Sequence, residues 1–577
     1  MEFALLDLWP AHATYLPGEP ASLILETNAQ APTDGTAETL DLTVRLSWLN
    51  TVIAERTLPV AITPGHAQLT VPLELPTTPF RGYGITVTLH NADGEIVATR
   101  STAVDVLESW AQAPRYGFLA DFAPDITDDE NRVTSLTRYH LNVAQFYDWM
   151  WRHYELMPPE DVFTDAMGRR LSLATTRARI AACHHQGIAA IGYAAVYGAE
   201  AEYADNHPDE RIYDANGKPY DLGGVFYIMN IHRGNPWLQC ILNTMANAVR
   251  DVPFDGLHLD QYGMPMEAAF DANGKPIDIA TDFATFVDDA RLAVQQPGRE
   301  VGVIFNAVGN WPIKEVAPTS QDAVYIEVWP PDVDFSHLQL LIQGAHELAP
   351  GKQVILAAYM KPLGGADGET LTQAEAATRL TSATIWANGG FHLLLGERDG
   401  ALCDAYYADY ATLRPAFARI MRTYYDFVVR YVNVLSDRHL RAIAADDMHI
   451  ATDAPGIRLS TEADPGAIWT ITRRMPGYIT ISFINLTAAS HAHWNDLQQT
   501  PDAVATSRLS VRLPQGDRPH ISGIFCASPD VDEGAPSHLD FTVEQVEGDG
   551  VVISFDMPPL HYWNLLVIKT DQDTDSE

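Results

Sequence analysis

The feature that most constrains this chain is an alternation running from residue 116 to residue 397. Short apolar runs that read as strands recur eight times: 116–122, 143–149, 188–198, 255–263, 301–309, 323–330, 354–362 and 389–397. Between them stand stretches with apolar residues at helical spacing, such as 175–186, 236–252, 282–296 and 374–387. Such a helix carries the chain back so that the next strand runs parallel to the last. Eight units of this kind over roughly 300 residues predict a (β/α)8 TIM barrel.

The texture differs on either side. Residues 1–112 read as short strands, at 21–27, 40–49, 67–75 and 84–91, followed by a hairpin turning at Asp93-Gly94, which predicts an immunoglobulin-like sandwich. A helical segment over 404–435 closes the barrel region. Strands then return over 438–570, at 467–475, 477–486, 507–514, 520–528, 550–558 and 564–570, as expected of an antiparallel β-sandwich. The expected organisation is therefore multidomain: sandwich 1–112, catalytic barrel 113–437, sandwich 438–570, and a disordered acidic tail 571–577. Neither flank clusters catalytic residue types, so both are read as supports. Two insertions, after strands three and four, each carry Asp-Ala-Asn-Gly-Lys-Pro, at 214–219 and 271–276. Asn-Gly marks a tight turn, so both are read as hairpin tips on the active-site face. An acidic calcium loop fits less well, because Lys and Pro follow the Gly.

Acidic residues outnumber basic ones 75 to 37, for a net charge of −38. Such a surface repels phosphate backbones and anionic lipid, so neither nucleic acid nor membrane is an expected partner, whereas a neutral substrate is not penalised. The four cysteines, 183, 240, 403 and 526, have no metal or disulfide spacing, and the first three are read as buried thiols. No apolar run is long enough to span a bilayer, and the N-terminus lacks the pattern of a signal peptide.

In a parallel barrel the chemistry sits at the C-terminal rim. The polar residues at the eight strand exits are Asp121, Asp148, Tyr193, Asp260, Asn306, Glu327, Tyr359 and Glu397, five of them carboxylates. Trp149, Trp151, Tyr197, Tyr262, Trp311 and Trp329 stand close by. Aromatic faces beside carboxylates and amides are what a sugar site needs, since rings stack on pyranose faces while polar groups take the hydroxyls. There is no HExxH, no GxSxG elbow and no glycine-rich phosphate loop, so neither a metal nor another cofactor is expected. Glycoside cleavage needs only two carboxyl groups. Asp260, closing the strand FDGLHLDQYG (254–263), and Glu327, in YIEVW (325–329), form the best pair. An aspartate capping a helix or closing a turn would look the same until its partner is found. An aromatic neighbour that desolvates Glu327 would raise its pKa toward that of a general acid.

These two motifs, with the order sandwich–barrel–sandwich, resemble glycoside hydrolase family 66, which comprises dextranases and cycloisomaltooligosaccharide glucanotransferases. The resemblance implies that Asp260 is the nucleophile and Glu327 the acid/base of a retaining, endo-acting dextranase (α-1,6-glucan cut to isomaltooligosaccharides). Strand position adds Asp121, Asp148, Trp149, Tyr193, His258, Gln261, Asn306, Trp329, Tyr359 and Glu397 as substrate contacts. Members that cyclise typically carry a carbohydrate-binding module late in the barrel, and the stretch between Pro362 and Gly389 has room only for a helix. That favours hydrolysis over the transglycosylase alternative. An amylase-type barrel would carry its acid after strand five, where this chain has Asn306. A non-catalytic glucan-binding protein would not need both carboxylates. Substrate logic places the protein outside the cell or on its surface, with cytoplasmic action on oligosaccharides as the alternative. Oligomeric state leaves no trace in the sequence.

Overall fold

A computed structural model describes residues 3–29, 38–444, 446–513, 520–546 and 550–571. At its centre stands one eight-stranded sheet: Tyr116–Leu119, Val143–Phe146, Ala189–Ala195, Gly256–Asp260, Gly302–Val308, Val324–Glu327, Val354–Ala357 and Phe391–His392. The strands lie side by side in chain order, each parallel to the next. A parallel bridge from Phe118 to Gly396, just past the eighth strand, nearly closes the ring. Almost every residue of these strands is buried on both faces, which is why they read as continuous Val, Ile, Leu and Tyr runs.

Helices pack outside the ring, and local chemistry starts them. Pro236–Asp251 begins with Pro in its first turn, while the Asn235 side chain accepts from the Trp237 N–H. It buries Trp237, Leu238, Ile241, Met245, Ala248 and Val249 at helical spacing, each large side chain contributing about 2 kcal/mol of apolar burial. The first strand ends earlier than its sequence suggests, because Glu397 takes the backbone N–H groups of Ala120 and Asp121 at 2.9 Å each. The helix expected over 404–435 is also shorter. It runs Pro415–Arg430, then Val432–Leu435, and the residues before Pro415 form a loop over the barrel mouth.

The N-terminal region folds as a three-stranded and a four-stranded antiparallel sheet around one core that includes Leu23, Leu25, Leu42, Ile85 and Val87. Two further sheets at the C-terminal end, antiparallel apart from the short pairing of Leu459–Ser460 with Ile468–Met475, share Ile481, Val511, Ile524, Ile553 and Phe555. The two Asn-Gly segments are turns, with the Asp214 and Asp271 carboxylates each accepting two backbone N–H groups. All four thiols are free, and Cys240 and Cys403 are only half-buried, unlike the expectation. Among the described residues no helix is long and apolar enough to cross a membrane. The acidic tail beyond Asp571 lies outside the described residues.

Candidate active site

The C-terminal ends of the barrel strands open into a cleft of about 700 Å³ lined by residues that follow strands two to eight. Asp260 and Glu327 are the last residues of strands four and six, and strand five runs between them. Asn306 on strand five points its amide at both. Its Nδ2 donates to Asp260 Oδ1 at 2.7 Å and to Glu327 Oε2 at 3.1 Å. Two oxygens on one nitrogen are separated by less than those lengths combined. That bound fits a retaining carboxylate pair, whose groups stand roughly 5–5.5 Å apart, better than an inverting one at roughly 6.5–9.5 Å. The outer oxygens take phenols: Tyr193 donates to Asp260 Oδ2 at 2.7 Å and Tyr359 to Glu327 Oε1 at 2.8 Å.

All of these donors are neutral. Burial, then the Glu327 charge, pushes the Asp260 carboxyl up to about 7, against the pull of Tyr193 and Asn306. Burial likewise raises Glu327, opposed by Tyr359, Asn306 and Trp329. Two acids this close cannot both ionise freely, so the pair retains a proton while its other member is charged. His258 lies at the floor, 1 % exposed, with Nδ1 at 3.1 Å from the Tyr116 hydroxyl, and burial pulls it down to about 3, leaving it neutral.

The remaining expected contacts divide. Asp148 lines the cleft at φ 50°, with Arg169 beside it, and burial pushes it up to about 7. Trp329 lines the rim and is 39 % exposed. Gln261 touches the cleft, but its amide fastens the loop, donating to the Asn306 and Trp311 carbonyls and accepting from Gly263 N–H. Three expected contacts are elsewhere. Trp149 is wholly buried behind strand three, donating to the Tyr193 carbonyl and packed edge-on against Phe254 in room left by Gly192. Glu397 is also wholly buried, where Arg132 and Arg179 neutralise it. Asp121 joins the same network through Arg132. Of the other aromatics, Trp151 and Tyr262 line the cleft, whereas Tyr197 and Trp311 do not.

The sequence reading missed the wall opposite. Tyr406 and Tyr407 come from the loop read as helix, and Tyr147 stacks on Tyr407 with ring centres 4.5 Å apart. The Tyr407 hydroxyl meets those of Tyr325 at 2.9 Å and Tyr359 at 3.3 Å, so a chain of phenols leads to Glu327. The signal available was Pro415, which starts a helix and so places the Tyr-Tyr pair outside it.

Known proteins resemble this chain along most of its length. A cycloisomaltooligosaccharide glucanotransferase of Niallia circulans is 23 % identical over 703 residues, an alignment covering 96 % of this chain and 71 % of that protein. A dextranase of Streptococcus salivarius is 23 % identical over 577 residues, covering 85 % of this chain and 68 % of its own length. In fold, the chain matches a Paenibacillus cycloisomaltooligosaccharide glucanotransferase solved with cycloisomaltoheptaose, at TM-score 0.87 and 21 % identity over 98 % of this chain and 99 % of the other. The family model for glycosyl hydrolase family 66 matches residues 10–567, and with nearly the whole length inside it, this chain is a member of glycosyl hydrolase family 66.

Proposed function

We propose that this protein is an endo-acting, retaining hydrolase of α-1,6-glucosidic linkages in dextran, with Asp260 as nucleophile and Glu327 as acid/base. The observation that carries the reading is the pair itself: a buried carboxyl and a half-buried one on one amide, fed only by neutral donors. Glu327 gives its proton to the departing glucosyl oxygen while a carboxylate oxygen of Asp260 bonds the anomeric carbon from the opposite face. The covalent β-glucosyl ester is then opened by water, whose proton goes to Glu327 and whose oxygen joins the anomeric carbon in the α configuration. Asn306 and Tyr193 hold Asp260 in line for attack, and Tyr359 orients Glu327. Trp151, Tyr262 and Trp329 offer ring faces to the glucose units. The chemistry occupies 113–437, and the sandwiches 1–112 and 438–570 take no part in it. By substrate logic it acts outside the cell.

A second reading, transglycosylation, is favoured by the glucanotransferases among the relatives, in which a sugar hydroxyl replaces water in the second step. Against it, the alignment with the Niallia protein is longer than this chain of 577 residues, so that relative carries segments this chain lacks. Between barrel strands seven and eight this chain has a short 3-10 turn and one helix, Gly368–Ala387. Mass spectrometry of the products from dextran separates the two. Linear isomaltooligosaccharides with free reducing ends support hydrolysis, and cyclic products lighter by one water as the main species would replace it with cyclisation.

A further inference from the structure

A second cavity, of about 460 Å³, lies far from the carboxylate pair. It sits between the barrel helix Phe335–Leu348, the turn at Asn388, the segment 436–443 and the strand Ile468–Met475 of the C-terminal sheet. Arg438, Arg441 and Arg473 line it together with His346, Asp437 and Glu347. Arg473 is 8 % exposed, and among the described residues the one hydrogen bond of its side chain runs from Nη1 to the Leu435 carbonyl. Gly389 makes room for its guanidinium, since a Cβ there would come within 2.6 Å of Nη2.

Buried arginines elsewhere in the chain meet carboxylates, as Arg115 does at Asp105 and Arg132 and Arg179 do at Glu397. Among the described residues none of the three cavity arginines forms an ion pair, and Asp437 is engaged by His439 instead. A buried guanidinium that no carboxylate pairs with is costly, and the cost shows in Arg473, which burial and then the Arg441 charge pull down to about 10, with the Asp437 charge opposing them only in part. The rest of the lining includes three side-chain amides and four hydroxyls, with no Trp, Tyr or Phe. Without a ring to stack on, a neutral sugar is poorly served, whereas hydrogen-bond donors around a guanidinium suit an oxyanion.

We propose that this cavity is a binding site for a small oxyanion, a phosphate or a carboxylate, held by Arg473 with Arg441 and Arg438 at the entrance. A bound anion would connect the barrel helix to the C-terminal sheet and raise the unfolding temperature with its concentration. The test is calorimetric titration of the full chain with inorganic phosphate and, separately, with citrate, at constant ionic strength balanced by chloride. Saturable binding of one anion per chain is expected. Binding of phosphate alone would identify a tetrahedral oxyanion, and binding of citrate alone a carboxylate. Arg473→Met should weaken it by about 10- to 100-fold. That variant also removes the bond to Leu435, so Arg441→Gln, at an exposed position, serves as the second probe and should weaken binding in the same direction. No saturation by either anion below about 10 mM, or binding unchanged in both variants, would overturn the proposal.

Discussion

Glu327 and Glu397 are the same residue type, stand at the end of barrel strand six and just past strand eight, and are both buried, at 6 % and 0 % exposure. Their surroundings are opposite. Glu397 accepts from two backbone N–H groups and from two guanidiniums, at 3.1 Å from Arg132 and 3.2 Å from Arg179. Glu327 accepts from a phenol and an amide, and its nearest charged neighbour is another carboxylate, Asp260. A buried carboxylate neutralised by cations is fixed as an anion and holds structure together. One surrounded by neutral donors and a second acid is poised to exchange a proton. The contrast separates scaffold from chemistry within one rim.

The largest expected effect is on Asp260. Asp260→Asn should lower kcat/KM on dextran by about 10⁴-fold or more, because the attacking oxygen is gone, whereas Glu397→Gln should leave kcat/KM per folded molecule within a few-fold. Full activity in Asp260→Asn would erase the distinction. Next comes Glu327→Gln, which should cost about 10²- to 10⁴-fold on dextran. On a glucoside with a good leaving group it should spare the first step and stall the second, and added azide, attacking the β-glucosyl ester in place of water, should restore turnover as the α-glucosyl azide. A β-azide would mean that the variant had lost the nucleophile, and would place the defect on the wrong residue.

Stability should move the other way. Glu397→Gln leaves Arg132 and Arg179 short of an anion and should cost about 3 kcal/mol in denaturant unfolding. Asp260 has its pKa raised in the fold, so the folded state holds the proton more tightly than the unfolded chain does. Its contribution is complete below the ordinary carboxylate range and is lost as pH rises through about 7. Asp260→Asn, which mimics the protonated form, should therefore gain about 2 kcal/mol at pH 7, with the gain vanishing near pH 4. The same proton governs catalysis, so kcat/KM should decline above about pH 7 as the pair loses it. A gain that grew toward low pH would reverse the sign and refute the account of the pair.

The smallest effects sharpen the same division among aromatics. Trp149→Phe should cost about 1 kcal/mol through the lost bond to the Tyr193 carbonyl and leave KM unchanged. Trp329→Ala should raise KM several-fold and alter stability by less than about 0.5 kcal/mol.

These pairs also show what could be read beforehand. The barrel was legible because its strands are buried on both faces and its helices carry an apolar stripe. Asp260 and Glu327 were legible because each ends its strand, where the ladder fixes side-chain direction. Trp149 and Glu397 were misassigned because they lie beyond the last paired residue of their strands. There a turn such as that at Asp148, with φ 50°, sets which way the next side chain points. Asn306 was expected to touch substrate, and its bridging of the two acids depends on the register of three strands that no local pattern encodes. Tyr407 was lost because its neighbours across the cleft are remote in sequence.

The central claim is that the two carboxyls, close enough to share one amide donor, act by double displacement. Proton NMR of the reducing end released in the first minutes of hydrolysis, before mutarotation, tests it most directly. The account predicts the α anomer appearing first and the β anomer growing in later. Initial release of the β anomer would mean a single inverting displacement, and would contradict the roles given to Asp260 and Glu327.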